Sequence, residues 1–179
     1  MDHSTADLSR RSFIDIHSLK FWNAICPKEV KEDFFQERLP VFSESPFPWN
    51  QSINRQVALW VGDITLLNCE AIVNTTNERI NDSGPISQRI LCKGGPQFRH
   101  FIKEHIRGCR TGDARITKGY DLAARYVIHA VGPKYVTKYH TAAENALYSV
   151  YAKVLSLARD HGIRSLALCP INSGTKNRF

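Results

Sequence analysis

The rhythm of apolar and polar positions changes near residue 54. Up to about residue 53 no period is sustained: polar stretches alternate with isolated aromatics such as Phe21, Trp22 and Phe34, and the segment closes on Ser45-Pro46-Phe47-Pro48. This predicts an N-terminal extension and linker over 1–53. A short helix over 27–38 is expected within it, where Pro27 suits a first turn and Glu29, Glu32 and Asp33 complement the positive end of the dipole. From residue 54 onward the pattern is one of short apolar runs rich in β-branched residues, each ending in a polar loop. Residues 57–61, 71–73, 127–131 (stopped by Gly132-Pro133) and 165–169 (before Pro170) read as four buried strands.

Helical spacing fills the gaps between these runs. Ile86, Ile90, Phe98, Phe101, Ile102 and Ile106 fall on one side of helical turns, interrupted by Gly94-Gly95-Pro96, which predicts two helices with a break. Thr141 followed by Glu144 has the form of a capping box, and Leu147, Val150, Tyr151, Val154 and Ala158 then make one stripe that ends before Gly162. Strands alternating with helices predict an α/β sandwich with crossover connections, because each apolar sheet face needs a helical cover. Ligands of such sheets bind outside the carboxyl ends of the strands, so the loops after Val61, Val73 and Cys169 are the first candidates for a site.

Composition narrows the class without choosing a function. The chain has 179 residues, 42% hydrophobic and 23% charged, close to ordinary globular averages, which argues against wholesale disorder. Apolar runs are far shorter than a membrane-spanning helix needs, and the N-terminus has no apolar signal core, so a soluble, cytoplasmic or nuclear protein is expected, with no membrane partner. Cys26, Cys69, Cys92, Cys109 and Cys169 are odd in number and contain no CxxC pair, which fits neither a disulfide framework nor a zinc knuckle; reduced core thiols are expected. Residues 1–53 carry 6 Lys and Arg against 8 Asp and Glu, leaving 18 against 9 in residues 54–179, so the +7 net charge belongs to the folded region. Such a field concentrates phosphate-bearing ligands without specifying which.

Candidate chemistry sits at two strand exits. Gly62-Asp63-Ile64-Thr65 follows the first run and Asn74-Thr75-Thr76-Asn77 the second. An aspartate there accepts from an exocyclic amine or a ribose hydroxyl, and asparagine offers donor and acceptor together, which suits a nucleoside; the same residues also commonly cap turns. Histidines show no metal-ligand spacing: His100 and His105 are five apart and fall on different sides of a helix, and His129 lies in a buried strand as an expected core histidine. No metal or cofactor is expected.

Taken jointly and in order, Gly62-Asp63-Ile64-Thr65, then Ala71 to Asn77, then Thr111-Gly112-Asp113-Ala114, then Tyr126 to Pro133 resemble the successive signatures of macro domains. The resemblance implies a three-layer α/β/α sandwich with a mixed, mostly parallel sheet over 54–179, and a site for ADP-ribose. It further implies that Asp63 addresses the adenine amine beside the Ile64 main chain, that Asn77 addresses the distal ribose, and that Ser83, Gly84, Ile86 and Ser87 stand where the family's glycine-rich diphosphate loop lies. Ser173, Gly174, Thr175 and Lys176 stand at its second phosphate loop.

The sequence departs from that family pattern in instructive ways. One glycine survives in the first loop, and Pro85 has no amide hydrogen to give a phosphate. Ser87 occupies the position of the catalytic aspartate of hydrolytic relatives, and a hydroxyl cannot serve at neutral pH as a carboxylate base. Asp82 is too far along the loop to replace it and adds negative charge near a diphosphate. The expected function is therefore a binding module for ADP-ribose, an ADP-ribosylated protein or a related adenine nucleotide, monomeric and without hydrolase activity. The alternatives are a hydrolase of mono-ADP-ribose or O-acyl-ADP-ribose, and a poly(A) or nucleic-acid binder using Arg89, Lys93, Arg99, Lys103 and Arg107. The resemblance also implies that the family's last helix-strand-helix portion lies beyond residue 179, which predicts a truncated form with a bare strand edge.

Overall fold

In the computed structural model, residues 13–22, 50–81 and 84–171 are described, and the chain divides into two units, Ile16–Gly62 and a second made of Met1–Asp15 with Asp63–Phe179. The expected helix over 27–38 and the second phosphate loop fall outside the described residues, as do Asp82 and Ser83.

The larger unit is built on a four-stranded sheet. Its strands are β3 (Ala71–Thr75), β4 (Asp113–Lys118), β5 (Tyr126–Val131) and β6 (Leu166–Ala167), in the order β4-β5-β3-β6. β3 runs parallel to both β5 and β6, while β4 is antiparallel to β5, so the sheet is mixed and mostly parallel as expected. A separate two-residue parallel pair joins β1 (Ile14–Asp15) to β2 (Leu67–Asn68), with Ile14 opposite Leu67. Three helices cover the sheet: α2 (Pro85–Lys93), α3 (Gly95–His105) and α4 (His140–Asp160).

Strand alternation divides the side chains of the sheet between two layers. Ala71, Val73, Ala114, Ile128 and Ala130 form one cluster with Val150, Val154 and Ala158 of α4, the stripe anticipated from spacing. The neighbouring strand positions Ile72, Asn74, Val127 and His129 are also fully buried, and the Phe98 ring of α3 stacks on His129 with centroids 5.9 Å apart. The result is the three-layer α/β/α arrangement, with α4 on one face and α3 on the other.

The break between α2 and α3 comes from the paired glycines. Gly94 caps α2 and Gly95 takes φ +84°, where a side chain would be strained and would also collide with the Asp121 carboxylate. Arg99 reaches back to donate to the last carbonyls of α2, Leu91 O at 3.0 Å and Cys92 O at 3.4 Å. β4 and β5 are joined through Gly119, whose amide donates to Arg125 O at 2.8 Å. A Cβ at 119 would lie 1.8 Å from Ala124 O, so the two backbones approach this closely only because the residue is glycine.

Three expectations need correction. Residues 57–61 are not a buried strand: among the described residues of the unit Ile16–Gly62 they make one bridge, Ala58 to Phe21, and Leu59 and Val61 are 65% and 87% exposed. An apolar run becomes a strand only when a neighbouring backbone takes its hydrogen bonds, and among the described residues Trp22 N to Val57 O, at 2.7 Å, is the one such bond beside that bridge. This unit also contains α1 (Gln51–Asn54), capped by Asn50 Oδ1, which accepts from Ile53 N at 3.1 Å. The second correction concerns the capping box. α4 starts at His140 with Tyr139 as its N-cap and no side-chain cap bond, and the Thr141 hydroxyl instead pairs with His140 Nε2 at 3.2 Å. Third, β4 was not foreseen: Asp113-Ala-Arg-Ile-Thr-Lys118 alternates but has only two apolar residues, Ala114 and Ile116, and its buried positions are Ala114 and Thr117.

Candidate functional site

Asp63 opens the site as the N-cap of the short 3-10 turn Ile64–Leu66. Its Oδ1 accepts from the Thr65 amide at 3.0 Å and the Thr65 hydroxyl at 2.6 Å, which fixes the carboxylate in one orientation. Its Oδ2 accepts from Arg89 Nε at 2.6 Å, bringing α2 over the turn. Partial burial pushes the carboxyl pKa up, but the hydrogen bonds from Thr65 and Arg89 and the Arg89 charge outweigh it and hold the group below the ordinary aspartate value. Asp63 is thus a firmly ionised acceptor. Ile64 beside it packs on the α4-side core.

The exit of β3 provides the second group. Thr76, whose amide continues the β3 to β5 bonding by donating to Ala130 O at 3.0 Å, is buried and meets the Ser87 hydroxyl of α2 at 3.4 Å. Ser87 is itself fully buried, so it points into the corner between strand and helix. Asn77 follows on the surface, where its Oδ1 accepts from the amides of Arg79 and Asn81, both at 3.1 Å, and its Nδ2 donates to Asn81 Oδ1 at 2.9 Å. Among the described residues the Asn77 side chain therefore bonds only within its own loop. Gly84 is the N-cap of α2, Pro85 its first residue, and Ile86 packs towards the α4-side core. Of the predicted set, then, Asp63 is tied to α2 through Arg89, and Ser87, itself on α2, meets Thr76 past the end of β3. Ser83, Ser173, Gly174, Thr175 and Lys176 lie outside the described residues.

Two features were not legible as parts of a site. Arg89 reads in the sequence as one of several basic residues on a helix face, and nothing in its spacing signals the pairing with Asp63. Glu78 stitches the loop after β3 to the loop before β4: its carboxylate accepts from the Thr111 hydroxyl at 2.9 Å, and its carbonyl from the Cys109 amide at 2.8 Å. Glycine at 108 permits this approach, since a Cβ there would sit 2.7 Å from the Glu78 carbonyl oxygen.

Beneath the site, His129 is the satisfied core histidine that its strand setting predicts. Asn74 Nδ2 donates to its Nδ1 at 3.1 Å, so Nε2 carries the proton and donates to the Thr117 hydroxyl at 3.0 Å. Burial lowers its pKa to about 3, and the ring is neutral at physiological pH. The thiols of Cys69 and Cys109 are pushed up to about 11 by burial, and that of Cys169 is also raised, so all three stay protonated at neutral pH; Cys92 is exposed. Among the described residues no cluster of His, Cys, Asp or Glu is arranged to hold a metal ion, and no helix is long and apolar enough to cross a membrane.

A mixed α/β/α sandwich with an ionised aspartate capping a 3-10 turn and an asparagine just past the exit of β3 is the architecture of a macro domain. The family model described as "Macro domain" matches residues 73–178, and the chain belongs to that family. It is 44% identical over 169 residues to ganglioside-induced differentiation-associated protein 2 of Homo sapiens, covering 92% of this chain and 33% of that protein. It is also similar to the crystal structure of the ganglioside-induced differentiation-associated protein 2 macro domain, at 42% identity and a TM-score of 0.79 over 94% of this chain and 74% of that one. A Trypanosoma brucei macrodomain solved in complex with ADP-ribose is 30% identical, with a TM-score of 0.66 over 91% of this chain and 56% of that one. The chain spans about a third of the length of the curated relatives it matches.

Proposed function

We propose that this chain is a binding module for ADP-ribose or a related adenine nucleotide, free or carried on a modified protein. The observation that supports this reading best is the Trypanosoma brucei relative, which shares this fold along nearly the whole chain and is solved with ADP-ribose. The chemistry of Asp63 is compatible with it. A carboxylate locked by Thr65 and held ionised is a preorganised acceptor for an exocyclic amine, so the base would meet a group that needs no reorientation. Asn77 would turn towards the distal ribose, giving up its loop bonds for it.

The module acts without hydrolysis in this reading. Position 87 offers a hydroxyl rather than a carboxylate, and that hydroxyl is buried against Thr76 rather than turned to a ligand. Isothermal titration of the full chain with ADP-ribose tests the proposal. Saturable binding that is lost in an Asp63→Ala variant of unchanged far-UV circular dichroism is the expected result, and the absence of heat and of any thermal shift at millimolar ligand refutes it. Release of ADP-ribose from a mono-ADP-ribosylated protein, abolished by Asn77→Ala, would overturn the non-enzymatic part alone.

A further inference from the structure

The acceptor at the base end of this site is not vacant. Asp63 Oδ1 has both its lone pairs engaged by the Thr65 amide and hydroxyl, so any ligand amine has to use Oδ2, and Oδ2 already accepts from Arg89 Nε at 2.6 Å. The two partners differ in burial: the Asp63 side chain is 17% exposed and that of Arg89 58%. The carboxylate is therefore the fixed half of the pair and the guanidinium the half that can leave. Arg89 lies in the second turn of α2 and its side chain makes no further hydrogen bond among the described residues, so swinging into water costs it only this contact.

We infer that Arg89 is a specificity latch over the base end of the site, competing with a ligand's exocyclic amine for Asp63 Oδ2. This rests on the proposed role of Asp63 as the base acceptor. The latch acts unequally on different purines. A 6-amino purine brings a donor that must displace or share the Oδ2 position with Arg89, whereas a 6-oxo purine brings an acceptor that the guanidinium N–H groups can meet and that a bare carboxylate would repel. Arg89 thus narrows the preference for adenine that Asp63 alone would impose. Because Thr65 holds the carboxylate from its other oxygen, Asp63 stays in place when Arg89 leaves, and the exchange needs no backbone movement.

Competition binding of ADP and IDP to the full chain, with wild type, Arg89→Met, Arg89→Lys and Asp63→Asn, reads this directly. A partly exposed ion pair is weak, so Arg89→Met is expected to bind ADP about 1.5- to 5-fold more tightly with IDP unchanged or weaker, raising the ADP to IDP affinity ratio. Arg89→Lys, which keeps the charge and deletes the Nε donor, moves the ratio in the same direction and keeps the test valid if the methionine variant does not fold. An unchanged or lowered ratio in both variants while the wild type binds ADP overturns the latch and leaves the role of Asp63 standing. Equal weakening of both nucleotides overturns it too, because it makes Arg89 a general attraction for phosphate. If Asp63→Asn binds both nucleotides as the wild type does, or if no protein binds either, the role of Asp63 fails and the latch falls with it.

Discussion

The two faces of the sheet are buried to the same degree and built on different chemistry. Under α4 the strands present Ala71, Val73, Ile128 and Ala130 to Val150, Val154 and Ala158, all of them apolar. Under α3 the alternate positions present Asn74, His129 and Thr117 beside Ile72 and Val127, and three of these five carry groups that must find hydrogen-bond partners. The first face tolerates any shape-compatible apolar side chain, since dispersion and burial are non-directional. The second is held by direction: the His129 ring fits only as a neutral tautomer between one donor and one acceptor. Asn74 Oδ1 has no partner among the described residues, so even this network is not complete. The polar face carries the strand that leads through Thr76 into Asn77, which links the directional layer to the candidate site.

Substitutions and pH separate the two faces. Truncating the apolar layer with Ile128→Ala should cost about 2–5 kcal/mol, read from urea or guanidinium unfolding, with no dependence on pH. If the loss were under 1 kcal/mol, the α4 face would be looser than its full burial implies. The polar layer should respond to acid instead. His129 stays neutral in the fold down to a pKa of about 3, whereas in the unfolded chain it protonates below about 6.5. Its contribution is therefore whole above pH 6.5 and is lost as pH falls from 6.5 towards 3, at about 1.4 kcal/mol per pH unit. Stability measured over this range in wild type and His129→Gln should show the slope diminish by that amount in the variant; parallel curves would contradict it. The smallest effect belongs to the α4 face at its entry. Thr141→Ala should stay within about 0.5 kcal/mol of wild type, because Thr141 bonds only the exposed His140 ring and caps nothing. A loss near 1 kcal/mol would restore the capping box in solution.

What could be read from the residues divides along the same line. The stripe of α4 and the core strands 71–75 and 126–131 are visible because burial imposes a period on side-chain type, and His129 is recognisable as a core histidine from its apolar neighbours. The break between α2 and α3 is visible in Gly94-Gly95-Pro96. By contrast, 57–61 has the composition of a strand, and pairing, which decides the matter, is a property of a neighbour that local sequence does not contain. β4 hides for the converse reason: its polar and small residues become a strand only because β5 runs beside them. At the site, the Gly62-Asp63-Ile64-Thr65 motif makes Asp63 legible, including the local bond to Thr65, which is set by a spacing of two residues. Its partner Arg89 is twenty-six positions away, and only the docking of α2 brings it close. Ser87 is legible as a departure from the family pattern, yet its burial against Thr76 depends on how α2 docks beside β3.

The narrow gap at Gly119 constrains how this sequence can change over time. With the Ala124 carbonyl oxygen 1.8 Å from where a first side-chain carbon would be, every non-glycine codon at 119 must be accompanied by a rebuilt connection between β4 and β5. The only antiparallel pairing in the described four-stranded sheet hangs on that connection, and β5 carries His129 into the polar layer. Variation among sister sequences should accordingly spare this one position while accumulating freely on the outer surface of α4, where Tyr148 and Leu155 already stand in water.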